Sequence, residues 1–347
     1  MKKSRFESIG VYLPEKVVTT SELIGGMGSN AVINVERLTG IKTRRWRSES
    51  EDSYMLATKA VKRCLENSSY KASDVDVIIS SSISRSKGVG KYLLEPPISK
   101  LIKAELGFRH SAINFDITNA CAGMLTGIKM LDNMIRSGMV KNGMVVSGEC
   151  ITPISETAVR EIKAPFDEQL ASLTVGDAGT AIMLDRSLNK DEGIYFAEFV
   201  TISQFADLCI GRPSDRTPGV AMYTDSAGIH QESIRRLPFF LEYFFKKNNI
   251  PYGDFDYFIP HQTSIRAIKL GLQFISHVIG DAATLISVDK FGNTSSTSHF
   301  VVLHDHLSRK KLKKNSKVLF AALASGIVIG CVFASIGRLE ECYGYDH

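Results

Sequence analysis

The sequence predicts an α/β layered fold that contains two similar halves. Short runs rich in β-branched and apolar residues alternate with segments whose apolar residues recur at helical spacing, which is typical of sheets covered by helices. A weak internal repeat is the second observation. "GMVVSGE" (143–149) resembles "SKVLFAALAS" (316–325), with an offset of 318 − 145 = 173 residues. Two further pairs occur in the same order: "SDVDVIISSSI" (73–83) resembles "GDFDYFIPHQT" (253–263), and "GDAGTAIMLD" (176–185) resembles "ASGIVIGCVFASIG" (324–337). Chance similarity between buried strands is the alternative explanation, but three matching segments in the same order favour a duplicated unit.

Strands and helices follow from these patterns in chain order. We predict helices over "SYMLATKAVKRCLENS" (53–68), which is apolar on one face, and over "AGMLTGIKMLDNMI" (122–135), which is apolar nearly all round and therefore buried. The two halves are predicted as residues 1–187 and 188–347. Eight segments read as buried strands: 75–83, 111–117, 143–149, 179–185, 255–260, 283–289, 317–323 and 327–336.

Composition excludes several classes of protein. The 347 residues are 44% hydrophobic and 23% charged, as in ordinary globular proteins, and a net charge of +5 is too small to indicate a nucleic-acid partner. The longest apolar run, 318–336, is interrupted by glycine and serine, so we predict two strands joined by a tight turn and no membrane insertion. The N-terminal segment lacks a signal-peptide core, and we expect a cytoplasmic protein. The six cysteines form no C-x-x-C pair, which predicts neither a disulfide framework nor a metal site.

Cys121 is the first candidate for chemistry. It lies in "TNACAGM" (118–124), at a predicted strand-to-helix junction. Cysteine is often a small buried residue, so simple packing is the first interpretation. A thiol at a helix N-terminus or beside an imidazole can also have a lowered pKa and act as a nucleophile. This stretch alone leaves both interpretations open.

Two polar residues occupy similar positions in the second half. His261 follows a predicted strand in "IPHQTSIR" (259–266), and Asn293 lies in "DKFGNTSSTS" (289–298), before a predicted helix. Adding the 173-residue offset to position 121 gives position 294, which lies in the segment 289–298. A turn histidine and a helix-capping asparagine are the ordinary explanations for these two residues. Their positions at strand ends also suit side chains that converge on one buried site.

Four motifs then point to a family. "DITNACAGM", "IPHQTSIR", "GNTSSTS" and "ASGIVIG" occur in the order and at about the spacing of the β-ketoacyl-ACP synthase III-like branch of the thiolase superfamily, which this sequence resembles over essentially its full length. "LTGI" (38–41) and "GDAGTAIML" (176–184) extend the resemblance. The resemblance implies the duplicated five-layer αβαβα thiolase fold, normally as a homodimer.

The resemblance also implies a role for each motif residue. Cys121 matches the nucleophile that accepts the acyl group. His261 and Asn293 match the pair that hydrogen-bonds the thioester carbonyl of the second substrate and stabilises its enolate. The backbone amides of Cys121 and Ser325 match the oxyanion hole for acyl transfer, where losing one donor typically costs about a hundred- to a thousandfold in rate.

The sequence departs from the family pattern at three places. Asn34 and Leu38 stand where the family has the tryptophan and arginine that clamp the adenine of coenzyme A. We therefore expect that coenzyme A need not be the carrier of the first acyl group. The glycine run near the C-terminus is "ASG" (324–326), and the family's H-Q-A-N is "HQTS". Arg266 is retained, and we predict that Ser264 and Arg266 contact the substrate.

Glu95 is the most suggestive difference. It lies in "GKYLLEPPISKLIKAELGF" (90–108), 26 residues ahead of Cys121. It resembles a glutamate of two sub-branches, the olefin-biosynthesis thiolases that join two fatty acyl thioesters and the α-pyrone-forming ketosynthases. There the glutamate crosses the dimer interface and acts as the base. An ordinary surface glutamate before Pro96 is the alternative.

Two basic runs remain open. "SRKKLKKNSK" (308–317) suits an acidic acyl carrier protein or a solvated helix end that complements the helix dipole. "RRWR" (44–47) suits a pantetheine phosphate, a carrier protein or neither.

The predicted function is therefore that of an acyl-condensing enzyme of specialised lipid or polyketide metabolism. We expect acyl thioesters of acyl carrier protein or coenzyme A as substrates, a homodimer that offers Glu95 across its interface, and no cofactor. The alternatives are decarboxylative condensation with malonyl-ACP, ester- or amide-forming acyl transfer, and a non-catalytic subunit of a heterodimeric ketosynthase. The last alternative is disfavoured because Cys121, His261 and Asn293 are all present.

Overall fold

The computed structural model describes residues 3–27, 34–88, 90–189 and 191–345. The ends of the two predicted halves, residues 1–2 and 346–347, lie outside this range. The strands in chain order are β1 (Ser4–Tyr12), β2 (Lys16–Thr19), β3 (Thr43–Trp46), β4 (Val77–Ser80), β5 (Ile113–Asp116), β6 (Asn142–Glu149), β7 (Ala178–Arg186), β8 (Ile194–Thr201), β9 (Cys209–Pro213), β10 (Val220–Thr224), β11 (Tyr257–Pro260), β12 (Ala283–Thr284), β13 (Lys317–Ala324) and β14 (Val328–Ser335).

The helices surround and separate the sheets that these strands form. In chain order they are α1 (Thr20–Gly25), α2 (Val35–Thr39), α3 (Ser53–Glu66), α4 (Ile98–Glu105), α5 (Gly123–Ser137), α6 (Pro153–Glu161), α7 (Ser226–Lys247), α8 (Ile265–Ile279), α9 (Val288–Phe291), α10 (Ser298–Ser308) and α11 (Gly337–Glu341).

Two five-stranded sheets of the same topology form the centre of the fold. The first has the order β1-β7-β6-β4-β5 and the second β8-β14-β13-β11-β12. In each sheet the last three strands of that order are parallel to one another. Each of the first two strands is antiparallel to the strand that follows it in the order. The first sheet lies within residues 4–186 and the second within 194–335, so the duplicated unit predicted from the repeat is confirmed.

Five layers result from the packing of helices on these sheets. Helices α5 and α10 lie between the sheets, where Ile128 and Phe300 are fully buried in the core that both halves share. The ring of Phe6 meets the rings of Phe300 and Phe320 edge-on, with centroids 6.2 and 6.1 Å away. Helices α3 and α4 cover the outer face of the first sheet, and α7 and α8 cover that of the second. The predicted αβαβα fold is therefore confirmed.

Two predicted strands are wrong over most of their length. The segment 75–83 forms a strand only over β4 (Val77–Ser80). The segment 283–289 forms only the two-residue strand β12 and then enters α9. The side-chain Oε1 of Gln262 accepts a hydrogen bond from Ser287 N at 3.1 Å, and Ser287 O accepts from Lys290 N, so local bonds replace the ladder. The sequence pattern does not predict β1 and β8 of the two large sheets, nor the strands of the two-stranded sheets β2-β3 and β9-β10. The pair β13 and β14 has the predicted tight turn between its strands.

No helix in the described part of the chain is both long enough and apolar enough to cross a bilayer.

Candidate active site

Cys121 sits at the sharp turn that joins the first sheet to the buried helix α5. Ala120 has a φ of 44°, in the left-handed region, and begins a short 3-10 helix (Ala120–Ala122) that runs directly into α5. Such a backbone is costly for a residue with a side chain and is frequent at functional sites. The Cys121 Sγ lies 3.6 Å from Ser295 Oγ, which comes from the second half of the chain.

The thiol is protonated in the chain without substrate. Burial raises the pKa of Cys121 to about 12, the hydrogen bond to Ser295 opposes this rise, and the negative charge of Glu149 adds to it. The start of a helix favours the thiolate form of a cysteine. Burial outweighs that effect here, so the proton must leave during the attack on a substrate.

Asn293 is held by backbone hydrogen bonds between the two halves. Asn293 N donates to Thr174 O at 2.8 Å, and Gly176 N donates to Asn293 O at 3.1 Å. A side chain at Gly176 would meet Phe291 O at 2.2 Å, so the close approach of these loops requires glycine there. The Asn293 Oδ1 accepts from Ser295 N at 2.9 Å, which fixes the orientation of the side-chain amide.

His261 follows β11 directly and is almost fully buried. Its Nδ1 lies 2.9 Å from Ser298 Oγ, and its backbone N donates to Ala321 O at 2.8 Å. Burial, and then the neighbouring His299, lower the pKa of His261 to about 3. The ring is therefore neutral at neutral pH and presents one N–H and one bare nitrogen.

Cys121, His261 and Asn293 line one cavity of about 460 Å³. This volume lies in the usual range of small-molecule sites. The cavity runs between α7 and α8, and no Asp, Glu, Lys or Arg occurs among the described residues of its wall. Its apolar wall along the two helices comprises Ile229, Ile234, Leu237, Pro238, Ala267, Ile268, Gly271, Leu272, Phe274 and Ile275.

The other predicted substrate contacts divide into two groups. Ser325 and Ser264 line the cavity; Ser325 lies in the turn after β13, and Ser264 Oγ caps α8 by accepting from Ala267 N at 3.0 Å. Arg266 is exposed on the first turn of α8 and is outside the cavity wall. Leu38 lines the cavity and is 50% exposed, so it lies where the cavity meets solvent. Asn34 caps α2 instead.

Glu95 lies away from the cavity of its own chain. It is exposed, in the segment that leads into α4, and its neighbour Leu94 is 86% exposed. Nothing within the described part of a single chain brings this carboxylate to Cys121. A role for Glu95 in catalysis therefore requires a second subunit.

The basic runs also have defined positions. Arg44 is fully buried and donates to Thr20 Oγ1 at 3.0 Å, so it does not meet a phosphate at the surface. Arg47 pairs with Glu156 at 2.9 Å. In the run 308–317, Arg309 pairs with Asp305, and the run follows the end of α10.

Near the thiol lies a polar network that the sequence pattern does not predict. Glu149, at the end of β6, is fully buried, and burial raises the pKa of its carboxyl even though hydrogen bonds lower it. Ser296, Ser147 and Ser84 donate hydroxyl hydrogen bonds to it at 2.5, 3.1 and 2.9 Å. The hydroxyl run "SSTS" at 295–298, unusual before a buried helix, was the available signal. Cys209 lines the cavity as well.

Known proteins resemble this chain in sequence and in fold. The model of 3-oxoacyl-[acyl-carrier-protein (ACP)] synthase III matches residues 115–204, and the model of the C-terminal part of that family matches residues 245–336. The β-ketoacyl-[acyl-carrier-protein] synthase III of Neorickettsia sennetsu is 28% identical over 95% of this chain and 98% of that protein. The enzyme of the same name from Ehrlichia canis is 28% identical over 97% of this chain and 100% of its own length.

Solved structures show the same fold. A histidine-to-alanine variant of Xanthomonas campestris OleA superposes with a TM-score of 0.85, 19% identity and coverage of 97% of this chain and 100% of that one. A cysteine-to-serine variant of OleA with bound lauric acid and lauroyl-CoA gives a TM-score of 0.84, 19% identity and coverage of 96% and 99%. Because the two family models match in order along the chain and the relatives match over nearly its whole length, the chain belongs to the β-ketoacyl-ACP synthase III family of acyl-transferring condensing enzymes.

Proposed function

We propose that the chain is a ketosynthase that accepts an acyl group on Cys121 and joins it to a second acyl thioester by Claisen condensation, in specialised lipid or polyketide biosynthesis. The observation that carries the proposal is the convergence of Cys121, His261 and Asn293 on one apolar cavity. The homodimer and the cytoplasmic location predicted from the sequence are part of this proposal.

The apolar wall supports an acyl chain as the bound group. Helices α7 and α8 line the cavity mainly with aliphatic and aromatic side chains, beside the polar His230 and Ser233, and no Asp, Glu, Lys or Arg of the described residues lies in this wall. An alkyl chain gains free energy from such burial, whereas a charged chain would not. The OleA structure with lauric acid and lauroyl-CoA supports the same substrate class for this fold. Either coenzyme A or an acyl carrier protein can deliver the thioester.

The first step is acyl transfer to the thiol. The Cys121 sulfur attacks the thioester carbonyl, a new C–S bond forms, and the C–S bond to the carrier breaks. The thiol proton leaves with the carrier thiolate, which agrees with the raised pKa of Cys121. The backbone amides of Cys121 and Ser325 are proposed to hold the oxyanion of this step.

The second step forms the carbon–carbon bond. Glu95 of the partner subunit takes a proton from the α-carbon of the second thioester, and the enolate oxygen accepts hydrogen bonds from His261 and Asn293. The α-carbon attacks the acyl group on Cys121, a C–C bond forms, and the thiolate leaves and regains a proton. The product is a β-ketoacyl thioester.

Decarboxylative condensation with a malonyl thioester is the second candidate. The specific observation in its favour is that the cavity wall within one chain has no described carboxylate. Loss of carbon dioxide makes the enolate without a base, so this version needs no partner glutamate.

The test has two parts. Purified protein is incubated with a labelled acyl thioester, and mass spectrometry locates the label; Cys121→Ser is the control. The acylated protein then receives either a second acyl thioester or a carboxyl-labelled malonyl thioester. A β-ketoacyl product without release of carbon dioxide supports the first version, and release supports the second. Both versions would be rejected if the wild-type protein gains no acyl group, or if Cys121→Ser gains the same acyl group as wild type.

A further inference from the structure

The hydrogen on the His261 ring decides what this residue can do. The ring is neutral, and its Nδ1 lies 2.9 Å from the Oγ of Ser298. Because His261 lines the cavity, its Nε2 is the nitrogen left for a substrate. A neutral histidine carries its hydrogen on one nitrogen only. With the hydrogen on Nε2 it donates to an oxygen, and with the hydrogen on Nδ1 it accepts a proton.

Ser298 distinguishes these two states. It is the first residue of α10 and is almost fully buried, and its helical backbone fixes where the side chain begins. Within the described part of the chain, His261 Nδ1 is the hydrogen-bond partner found for Ser298 Oγ. If Nδ1–H donated to Oγ, the serine hydroxyl hydrogen would be buried without an acceptor. Such a penalty favours the other arrangement by a factor of roughly five to a hundred.

We propose that Ser298 is a positioning residue whose hydroxyl donates to His261 Nδ1 and thereby fixes the hydrogen on Nε2, where it faces the second substrate. This inference rests on the proposed condensation for its catalytic meaning, but the position of the hydrogen is a property of the protein alone. His261 is then a donor to the thioester oxygen and not the base that removes the α-proton.

The surroundings of the His261 ring hold it in place. The backbone N of His261 and the Nε2 of His299 both donate to Ala321 O, at 2.8 and 3.0 Å. The His299 ring packs against the His261 ring with centroids 5.9 Å apart. The position of His261 is thus fixed by its backbone and by the ring packed on one face. Ser298 then determines which ring nitrogen carries the hydrogen.

The experiment reads the position of the hydrogen by ¹⁵N NMR of protein labelled at histidine, with His261→Gln used to assign the signal. We expect the Nε2–H form of His261 in wild type and in Ser298→Thr, which keeps the hydroxyl. Ser298→Ala should give a mixture of the two forms. Thr297→Val removes a neighbouring buried hydroxyl that bonds Thr294 O instead, and should leave the His261 signal unchanged.

The kinetic measurement separates the two steps. Ser298→Ala should slow condensation by about ten- to a hundredfold and slow acylation of Cys121 by less than about threefold, and Ser298→Thr should restore condensation. An Nδ1–H signal in wild type, or an unchanged signal in Ser298→Ala, would overturn the inference. Equal loss of both steps would overturn it too, because Ser298 would then support the whole site. If wild type condenses no thioester, the proposed function fails while the NMR result still stands.

Discussion

The Oγ of Ser296 donates a 2.5 Å hydrogen bond to the Oε1 of Glu149, and this bond joins the two halves of the chain directly behind the candidate nucleophile. Glu149 receives five hydrogen bonds altogether, from the backbone N of Ile83 and of Ser84 and from the hydroxyls of Ser84, Ser147 and Ser296. These donors stabilise the ionised form of a buried carboxyl for which the described residues provide no ion-pair partner. Its charge raises the pKa of Cys121.

Replacing Glu149 by glutamine should therefore make Cys121 ionise at lower pH. The substitution removes the negative charge and keeps the size of the side chain. The rate of Cys121 alkylation by iodoacetamide, followed by mass spectrometry between pH 7 and 11, should rise at lower pH in Glu149→Gln than in wild type. The amide also faces several donors, so the variant should lose about 1–3 kcal/mol of unfolding free energy. Glu198→Gln, a change of the same kind on β8, is the control, and an identical profile for Glu149→Gln and wild type would contradict the prediction.

Mixed dimers should show whether Glu95 acts across an interface. Cys121→Ala and Glu95→Gln are each expected to be inactive in condensation, and Glu95→Gln should still become acylated. A heterodimer of the two variants has one site with both the thiol and the partner's Glu95. Random assortment should restore about a quarter of the wild-type condensation rate, because half of the dimers are mixed and each has one such site. Co-expression with two affinity tags and a condensation assay measures this. If purified heterodimers recover no condensation activity, Glu95 does not act across the interface and is an ordinary surface residue.

Gly271 offers a way to shorten the acyl cavity without loss of stability. It lies about 10 Å along α8 from Ser264, lines the cavity, and has open space where a Cβ would stand. Gly271→Leu should place a side chain in the far part of the cavity and lower the acylation rate of long acyl thioesters more than that of short ones. Leucine also favours a helix over glycine by roughly 0.5–1 kcal/mol, so the melting temperature should not fall. Gly271→Ala is the matched control. A chain-length preference equal to wild type would show that the acyl chain does not pass this position.

His299 should make the protein less stable in weak acid. Burial lowers the pKa of His299 to about 4, whereas an unfolded histidine titrates near 6.5, so protons favour the unfolded state below that pH. The contribution is a loss of unfolding free energy that begins as pH falls through 6.5 and levels off near 4. Between pH 7 and 5 it is about 2 kcal/mol. Urea unfolding at both values should show a smaller loss in His299→Gln than in wild type. Equal losses would mean that folding does not lower the pKa of His299.

Sequence pattern was sufficient for the architecture because most buried strands here are continuous apolar runs. The pattern failed to predict segments whose structure depends on hydrogen bonds to residues distant in sequence. Strand β1 contains the buried polar residues Ser4, Glu7 and Ser8, and the charge of Glu7 is satisfied by Ser68 and Ser69 from after α3. Such a strand does not look buried until its partners are known. The prediction for 283–289 was wrong for the opposite reason: the segment looks like a buried strand, but the backbone N of Ser287 donates to the Gln262 side chain and not to a neighbouring strand.

Only those residues of the candidate site that lie at predicted strand ends or helix starts could be predicted from the sequence. Cys121, His261 and Asn293 all follow this rule, and the structure places them on one cavity. Ser298 and Glu149 do not, because their roles depend on how α10 and β6 pack between the two halves. The exposed position of Glu95 could not be given a meaning from one chain, since its proposed partner is in another subunit.

The turns at Ala120 and Ser295 have one further consequence. Both residues have left-handed φ angles, 44° and 56°, and each begins a short 3-10 helix that leads into a central helix, so Cys121 and Ser296 occupy matching places. In a symmetric pair of identical subunits, matching places must carry the same side chain. Because both turns belong to one chain, one can carry a nucleophile while the other carries a hydroxyl that holds a buried carboxylate. Fusion of the two copies thus supplies the asymmetry that a reaction between two unlike thioesters requires.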